Sequence, residues 1–524
     1  MKPEPLVHVE LVFSELASTP LGCAECAPSD VRNLIAKDAA GALQASVAGA
    51  ARGTQVVFAR APQGQTTVSY DLRASSDLLA PPRAVLVQDD RFRAFGESLL
   101  LLPNERSRRS LRVTVDGSLL PASASGSSLG IGVTRSRTAR VDALAASVFV
   151  AGSLGTSTFD TGIEHDEGAW LGYTAFDPRP VAAEIAGVRS LLRETFQGDA
   201  DDHVVFFLSQ SRAAASVVGR SGSAVAFVTP DEPWSAALRI AMTKHLVGKY
   251  IGGEARIVDA KGKPAAWFHG GVALFYAAHA LSHAGLLPPE DARQFINGLL
   301  SVQATSALHS TEPADVFARQ TAAGALYAAR LHALFRARGD RVAEKGAAPS
   351  SPAEKSAQRL DDVLLSLVDR ARLHPVDELT EGAFVDAVAH ALGERERGVF
   401  ASIFEKGELV ALPSDTLGPC FAQRPTRHAE VSLGFDLERT LEAADRVLVG
   451  LEPHGNAAKA GLVSGDVLVS SNVHSGRADL PVKLTVQRGA DKKTVTYVPK
   501  GKEHPGYSFA RVAGFTDAQC GKPL

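Results

Sequence analysis

What most constrains this chain is a change of hydrophobic period that happens twice along its length. Up to about residue 166, apolar and polar residues alternate. Examples are Val7-His8-Val9-Glu10-Leu11-Val12-Phe13, Gln55-Val56-Val57-Phe58-Ala59 and Thr67-Val68-Ser69-Tyr70-Asp71-Leu72. Successive strand side chains point to opposite faces, so a period of two predicts half-buried strands and an all-β, sandwich-like domain. Residues 122–132, rich in Ala, Ser and Gly, are expected to be turn. Between 179 and 196 the apolar residues Val181, Ile185, Val188, Leu191 and Leu192 recur at helical spacing. Helices are then predicted over 264–283, 289–300, 313–338, 357–371, 380–392 and 395–406. Two short strands, 203–209 and 223–228, precede a helix opened by Pro233. Residues 344–355, rich in Ala, Ser, Pro and charge, read as an exposed linker. The last hundred residues return to strand patterning.

A chain of 524 residues exceeds one ordinary core. The expected division is 1–165, 166–415 and 416–524: β-sandwich-like, mainly helical, and β-rich. Net charge −3 and a pI near 6.6 leave no electrostatic footprint for nucleic acid. The cluster Arg106-Ser107-Arg108-Arg109 reads as solvated surface. No apolar run approaches the ~18 residues of a membrane helix, and 143–152 reads as a buried strand. No apolar signal segment opens the chain. A cytoplasmic protein is expected, or a periplasmic or secreted one if a signal peptide was removed. The four cysteines allow two disulfides, Cys23–Cys26 and Cys420–Cys520, or four unpaired thiols.

Residues 233–276 hold the most specific pattern in the chain. It comprises Pro233-Trp234, Lys244-His245-Leu246-Val247-Gly248, Tyr250-Ile251-Gly252-Gly253, Trp267-Phe268-His269-Gly270-Gly271 and Phe275-Tyr276. Further on comes Gly324-Ala325-Leu326-Tyr327-Ala328-Ala329-Arg330-Leu331. This frame resembles the glycyl aminopeptidase-type gluzincin metallopeptidases. The resemblance implies a thermolysin-like middle domain with His-Glu-x-x-His on one helix and a Glu ligand on a second. Anchored on Tyr250-Ile251-Gly252-Gly253, the first ligand position falls on Lys244 and the catalytic Glu on His245. The second ligand falls on Gly248, the third on Gly270, and an oxyanion-assisting Tyr on Thr321. A one-residue slide puts His245 at the first ligand, but then Leu246 and Lys249 stand at the next two places.

Glycine offers no donor, and a lysine ammonium repels a dication. The expectation is therefore no zinc and no metallopeptidase chemistry, since a bound-water nucleophile needs the ion. His245, His269 and Lys244 remain as candidates for a metal-independent acid–base reaction, the alternative to a pseudopeptidase. Lys244 is expected to pair with an acidic neighbour such as Glu254. His279 and His283, four apart, are expected to be ordinary surface or core histidines.

The C-terminal part resembles a PDZ domain, through Asn456-Ala457-Ala458-Lys459-Ala460-Gly461-Leu462 followed by Ser464-Gly465-Asp466-Val467-Leu468. A hairpin over 482–488 and 493–498 completes it. The resemblance implies that the loop Leu433-Gly434-Phe435 holds a peptide or protein C-terminal carboxylate on its N–H groups, beside a strand edge that takes the peptide as an added strand. The chain's own 502–524 tail or its helical domain is the competing occupant of that groove.

Overall fold

The computed structural model describes residues 4–16, 20–77, 83–105, 107–160, 164–172, 174–209, 215–220, 222–229, 231–259, 261–305, 313–344, 359–374, 378–443, 445–473 and 478–524. These fall into two compact units, Met1–Ala186 with Ala200–Trp234, and Gly187–Asp199 with Ser235–Leu524.

The first unit is built on sheets. Strands Leu6–Phe13, Thr66–Arg73, Val31–Asp38 and Gly41–Ala42 make one, in that order. Leu102–Pro103, Leu21–Cys23, Thr54–Phe58 and Ala45–Gly49 make a second. The expected alternation is visible in Thr66–Arg73, where Thr66, Val68, Tyr70 and Leu72 are buried. The Tyr70 hydroxyl is satisfied inside this core: it donates to the Leu99 carbonyl at 2.7 Å and accepts from Leu101 N at 3.0 Å. Cys23 and Cys26 are disulfide-bonded.

The segment expected to be turn at 122–132 instead supplies two strands, Ala124–Ser127 and Gly130–Ile131. They extend the sheet of Val148–Gly152, Arg91–Phe95 and Leu86–Gln88. Small residues let these strands approach closely: a Cβ on Gly126 would lie 3.0 Å from Ile131 Cδ1, a tight contact. Val148–Gly152 is buried throughout, as a core strand should be. The fifth sheet is mixed, ordered Leu154–Asp160, His165–Leu171, His203–Ser209, Ser223–Val228, Ser216–Arg220. Its middle three strands are parallel, and helix Pro178–Phe196 is the crossover joining the first two of them. Every residue of Ser223–Val228 is buried, in keeping with a parallel strand covered on both faces. Of the basic cluster, Arg106 lies outside the described residues; Arg108 and Arg109 are exposed, and Arg109 pairs with Glu105.

The second unit is helical and then strand-rich. Its longer helices are Ala236–Val247, Ala273–His283, Pro289–Thr305, Pro313–Glu344, Leu360–Leu373, Glu381–Leu392 and Arg395–Phe404. A wider-wound π-helical stretch, Trp267–Val272, runs directly into Ala273–His283. The linker expected at 344–355 lies outside the described residues beyond Glu344, as do the first residues of the helix expected from 357. No described helix is long and apolar enough to cross a membrane.

In the strand-rich part, Phe421–Val431 pairs with Lys500–Arg511 as a long antiparallel ribbon. The Cys420–Cys520 disulfide lies at the start of that ribbon. Asn297 clamps it to helix Pro289–Thr305, accepting from Phe509 N at 2.8 Å and donating to the Phe509 carbonyl at 2.9 Å. The 502–511 part of the tail is thus committed to a strand. A separate three-stranded sheet, Val467–Asn472, Val482–Arg488 and Asp491–Tyr497, closes over Phe435, Leu448, Ala457, Leu462 and Val495. Asp466 locks its corner: both carboxylate oxygens accept from Arg488 at 2.7 Å, and Oδ2 also accepts from Val463 N.

Candidate functional site

From Ser235 onward, the residues of the 233–276 pattern lie in the second unit, where three helices assemble them. Ser235 caps the first, its hydroxyl accepting from Leu238 N at 3.3 Å. Lys244 and His245 lie in its last turn and are half-buried, and Gly248 is its C-terminal cap. Cations are favoured at that end by the helix dipole. The chain then turns through Gly252 at φ +108°, a conformation that glycine adopts without strain. Tyr250 stacks on Phe196 at 4.7 Å between ring centroids.

Trp267 fixes the second helix. Its ring lies 5.1 Å from each of Phe384, Phe400 and Phe404, and its Nε1 donates to Glu381 Oε1 at 2.6 Å. The third helix, Pro313–Glu344, approaches so closely that backbones touch. A Cβ on Gly324 would stand 1.9 Å from the Trp267 carbonyl oxygen, and one on Gly271 would stand 2.7 Å from Gly324 Cα. These two glycines are the packing surface.

That approach decides what surrounds position 270. A Cβ there would meet Thr321 Oγ1 at 2.6 Å. Gly270 and Thr321, the third-ligand and oxyanion positions of the resemblance, are therefore direct neighbours. The Thr321 hydroxyl is buried and makes no hydrogen bond among the described residues. His269 is turned to other work: its Nε2 lies 2.8 Å from the Ile257 carbonyl, so this nitrogen carries the proton. Burial holds the His269 imidazole below its usual range, with a raising effect from that bond.

Burial likewise lowers the Lys244 amine. The expected Lys244–Glu254 pairing does not form, because Glu254 accepts from Arg372 Nε at 2.7 Å. Arg372 is the stronger competitor, since its guanidinium also caps the Phe196 carbonyl at 2.8 Å. Lys244 has no ion-pair or hydrogen-bond partner among the described residues. Among those residues, no three His, Cys, Asp or Glu side chains converge so as to hold a metal ion.

In the C-terminal part, Gly434 takes φ +80°, and a Cβ there would lie 2.9 Å from Asn456 N. Phe435 is buried in the local core, and the Leu433 carbonyl accepts from Tyr497 OH at 2.7 Å. The N–H groups of Leu433, Gly434 and Phe435 enter none of the backbone hydrogen bonds among the described residues. Among the described residues, the segment that directly follows this loop is not a strand. Asp436 instead caps a short helix, Leu437–Glu442, and only an isolated bridge joins Asp436 to Val449.

Sequence reasoning passed over a second polar cluster. Tyr276 donates to Asp361 Oδ1 at 3.0 Å, and His279 Nε2 lies 3.6 Å from the same oxygen. His332 is 4.8 Å from His279, ring to ring. Burial and the neighbouring His279 push His332 down to about 3, while His279 and Tyr276, working against burial, hold Asp361 down at about 2. The spacing of Tyr276, His279 and His283 on one helix face was a usable signal. Asp361, 85 residues beyond Tyr276, was not reachable by pattern.

No protein-family model matches the sequence, and no curated protein matches it. Solved structures do. An M1 zinc metallopeptidase from Deinococcus radiodurans is 18% identical, with 78% of this chain and 92% of that one covered and a TM-score of 0.48. An aminopeptidase N family protein from Idiomarina loihiensis is 12% identical at a TM-score of 0.60, over 99% of this chain and 97% of that one. What this chain shares with the Idiomarina protein is the fold, that of an aminopeptidase N family protein from end to end.

Proposed function

We propose that this protein is a pseudopeptidase, a gluzincin-type scaffold without zinc hydrolysis that binds a peptide or protein segment. The observation that carries this reading is Lys244. A half-buried amine with no acidic partner stands where the first metal ligand is expected. Its burial is unfavourable when charged, so a carboxylate brought by a partner would be stabilised there. The rest of the donor set agrees. Gly248 and Gly270 carry no donor atoms, the Thr321 hydroxyl borders position 270, and His269 is engaged with Ile257. These residues do not fit a zinc ion.

The C-terminal part supports the same reading as a PDZ-like module. The order of loop, helix Asn456–Lys459 and three-stranded sheet agrees with that assignment, and three consecutive N–H groups at 433–435 suit a terminal carboxylate. With helix Leu437–Glu442 in the place of an edge strand, recognition there rests on the carboxylate end of the peptide. Fluorescence anisotropy with a labelled peptide library, as free acids and as C-terminal amides, tests the proposal. Binding of free acids, weakened at least tenfold by amidation and by Lys244→Ala or Gly434→Val, is expected; indifference to all three changes would overturn it.

The second reading is an acid–base reaction at Lys244, His245 and His269. Burial lowers both the Lys244 amine and the His269 imidazole, which makes each a readier proton acceptor, and this is the observation behind it. Metal-free turnover lost in Lys244→Ala and His269→Ala would establish it in place of pure binding.

A further inference from the structure

The Tyr276–Asp361–His279 cluster forms one wall of a cavity of about 320 Å³ in the second unit. Glu194, Gln197 and Arg359 stand among its other lining residues. A volume at the low end of ligand pockets suits a small molecule. The cavity is separate from the cleft around Lys244 and Gly270, none of whose residues line it.

Its polar groups are incompletely used by the protein. Asp361 Oδ1 accepts from Tyr276, while Oδ2 lies 3.7 Å from Arg359 Nη1. Arg359 in turn reaches Asp362 at 3.8 Å. Both are ion pairs longer than a hydrogen bond, so neither contact uses the hydrogen-bonding capacity of this carboxylate oxygen or this guanidinium. At the inner end, His279 Nδ1 is buried with no partner among the described residues.

Charge narrows the ligand class. Among the described lining residues, Asp361, Asp362 and Glu194 bring three carboxylates against the guanidinium of Arg359, and burial keeps the His283 imidazole below its usual range. A simple carboxylate would meet repulsion from the acids. A simple amine would satisfy Asp361 and leave Arg359 unused. A molecule carrying both charges on adjacent atoms answers both groups at once.

We propose that this cavity binds a small zwitterion of the α-amino-acid class, with its ammonium on Asp361 Oδ2 and its carboxylate on Arg359. The site is independent of the peptide-binding reading and is tested apart from it.

Isothermal titration of the full-length protein with L-alanine, propionate and ethylamine isolates the two charges on one carbon skeleton. L-alanine is expected to bind saturably at millimolar concentration, with propionate and ethylamine each at least tenfold weaker. Arg359→Gln, at an exposed position, is expected to leave the fold intact and abolish the L-alanine signal; Asp361→Asn is expected to do the same to binding. Lys244→Ala is expected to leave the titration unchanged. No saturable heat with L-alanine, equal binding of ethylamine or propionate, or retention of binding in Arg359→Gln would overturn the proposal. Loss of binding in Lys244→Ala would place the ligand in the cleft and overturn it as well.

Discussion

The run from Trp267 to His283 carries two polar neighbourhoods of opposite character. Around Gly270 the groups are missing or, among the described residues, unsatisfied: no side chain at 270, an unpartnered Thr321 hydroxyl and an unpaired Lys244 amine. Six to thirteen residues further on, Tyr276 and His279 converge on Asp361, with His283 at the same cavity. The backbone that displays both is held by neither. It is held by the aromatic shell of Trp267 and by backbone contact at Gly271 and Gly324. The contrast teaches that the scaffold's stability is separable from coordination chemistry. A fold fixed by such packing does not need metal-binding donors to hold it together.

That separation can be broken at several points. Trp267→Ala removes the ring shared by three phenylalanines and is expected to cost about 4 kcal/mol in urea unfolding. A loss below about 1 kcal/mol would show that the aromatic shell is not what holds the helix. Gly324→Ala drives a methyl into the Trp267 carbonyl and is expected to cost about 3 kcal/mol, a large value for a single methyl.

At the other polar neighbourhood, acid should be destabilising. Asp361 is held at about 2, below its unfolded value near 3.8, so it contributes stability above pH 4 that is lost as pH falls through 2. About 2 kcal/mol should disappear over that window in the wild type, and Asp361→Asn should lack that part of the acid slope. The smallest effect belongs to the first neighbourhood. Thr321→Val exchanges an unpartnered hydroxyl for a methyl and is expected to be neutral or stabilising by up to about 1 kcal/mol. A marked loss there would reveal a partner for that hydroxyl.

Much of this architecture was legible because period reports burial. The helix from 179 to 196 and the strands at 203–209 and 223–228 are direct consequences of spacing. The ribbon Phe421–Val431 with Lys500–Arg511 was not legible. It is rich in Arg, His, Lys and Glu, and each strand carries a proline, Pro425 and Pro505, so its stretches resemble loops. The strands at 124–131 were hidden by small residues that elsewhere make turns. At the site, side-chain identity was readable but pairing was not. Glu254 was offered to Lys244, and Arg372, 118 residues on, takes it. Long-range polar partners leave no local period, which is also why Asp361 went unseen.

The central claim is that a scaffold of this fold operates here without zinc. Equilibrium dialysis of the purified protein against Zn²⁺, then metal analysis and hydrolysis assays on glycyl and alanyl substrates, tests it most directly. No retained zinc above that of Lys244→Ala and no zinc-dependent turnover are expected. One zinc bound per chain, with turnover that chelation abolishes, would contradict it.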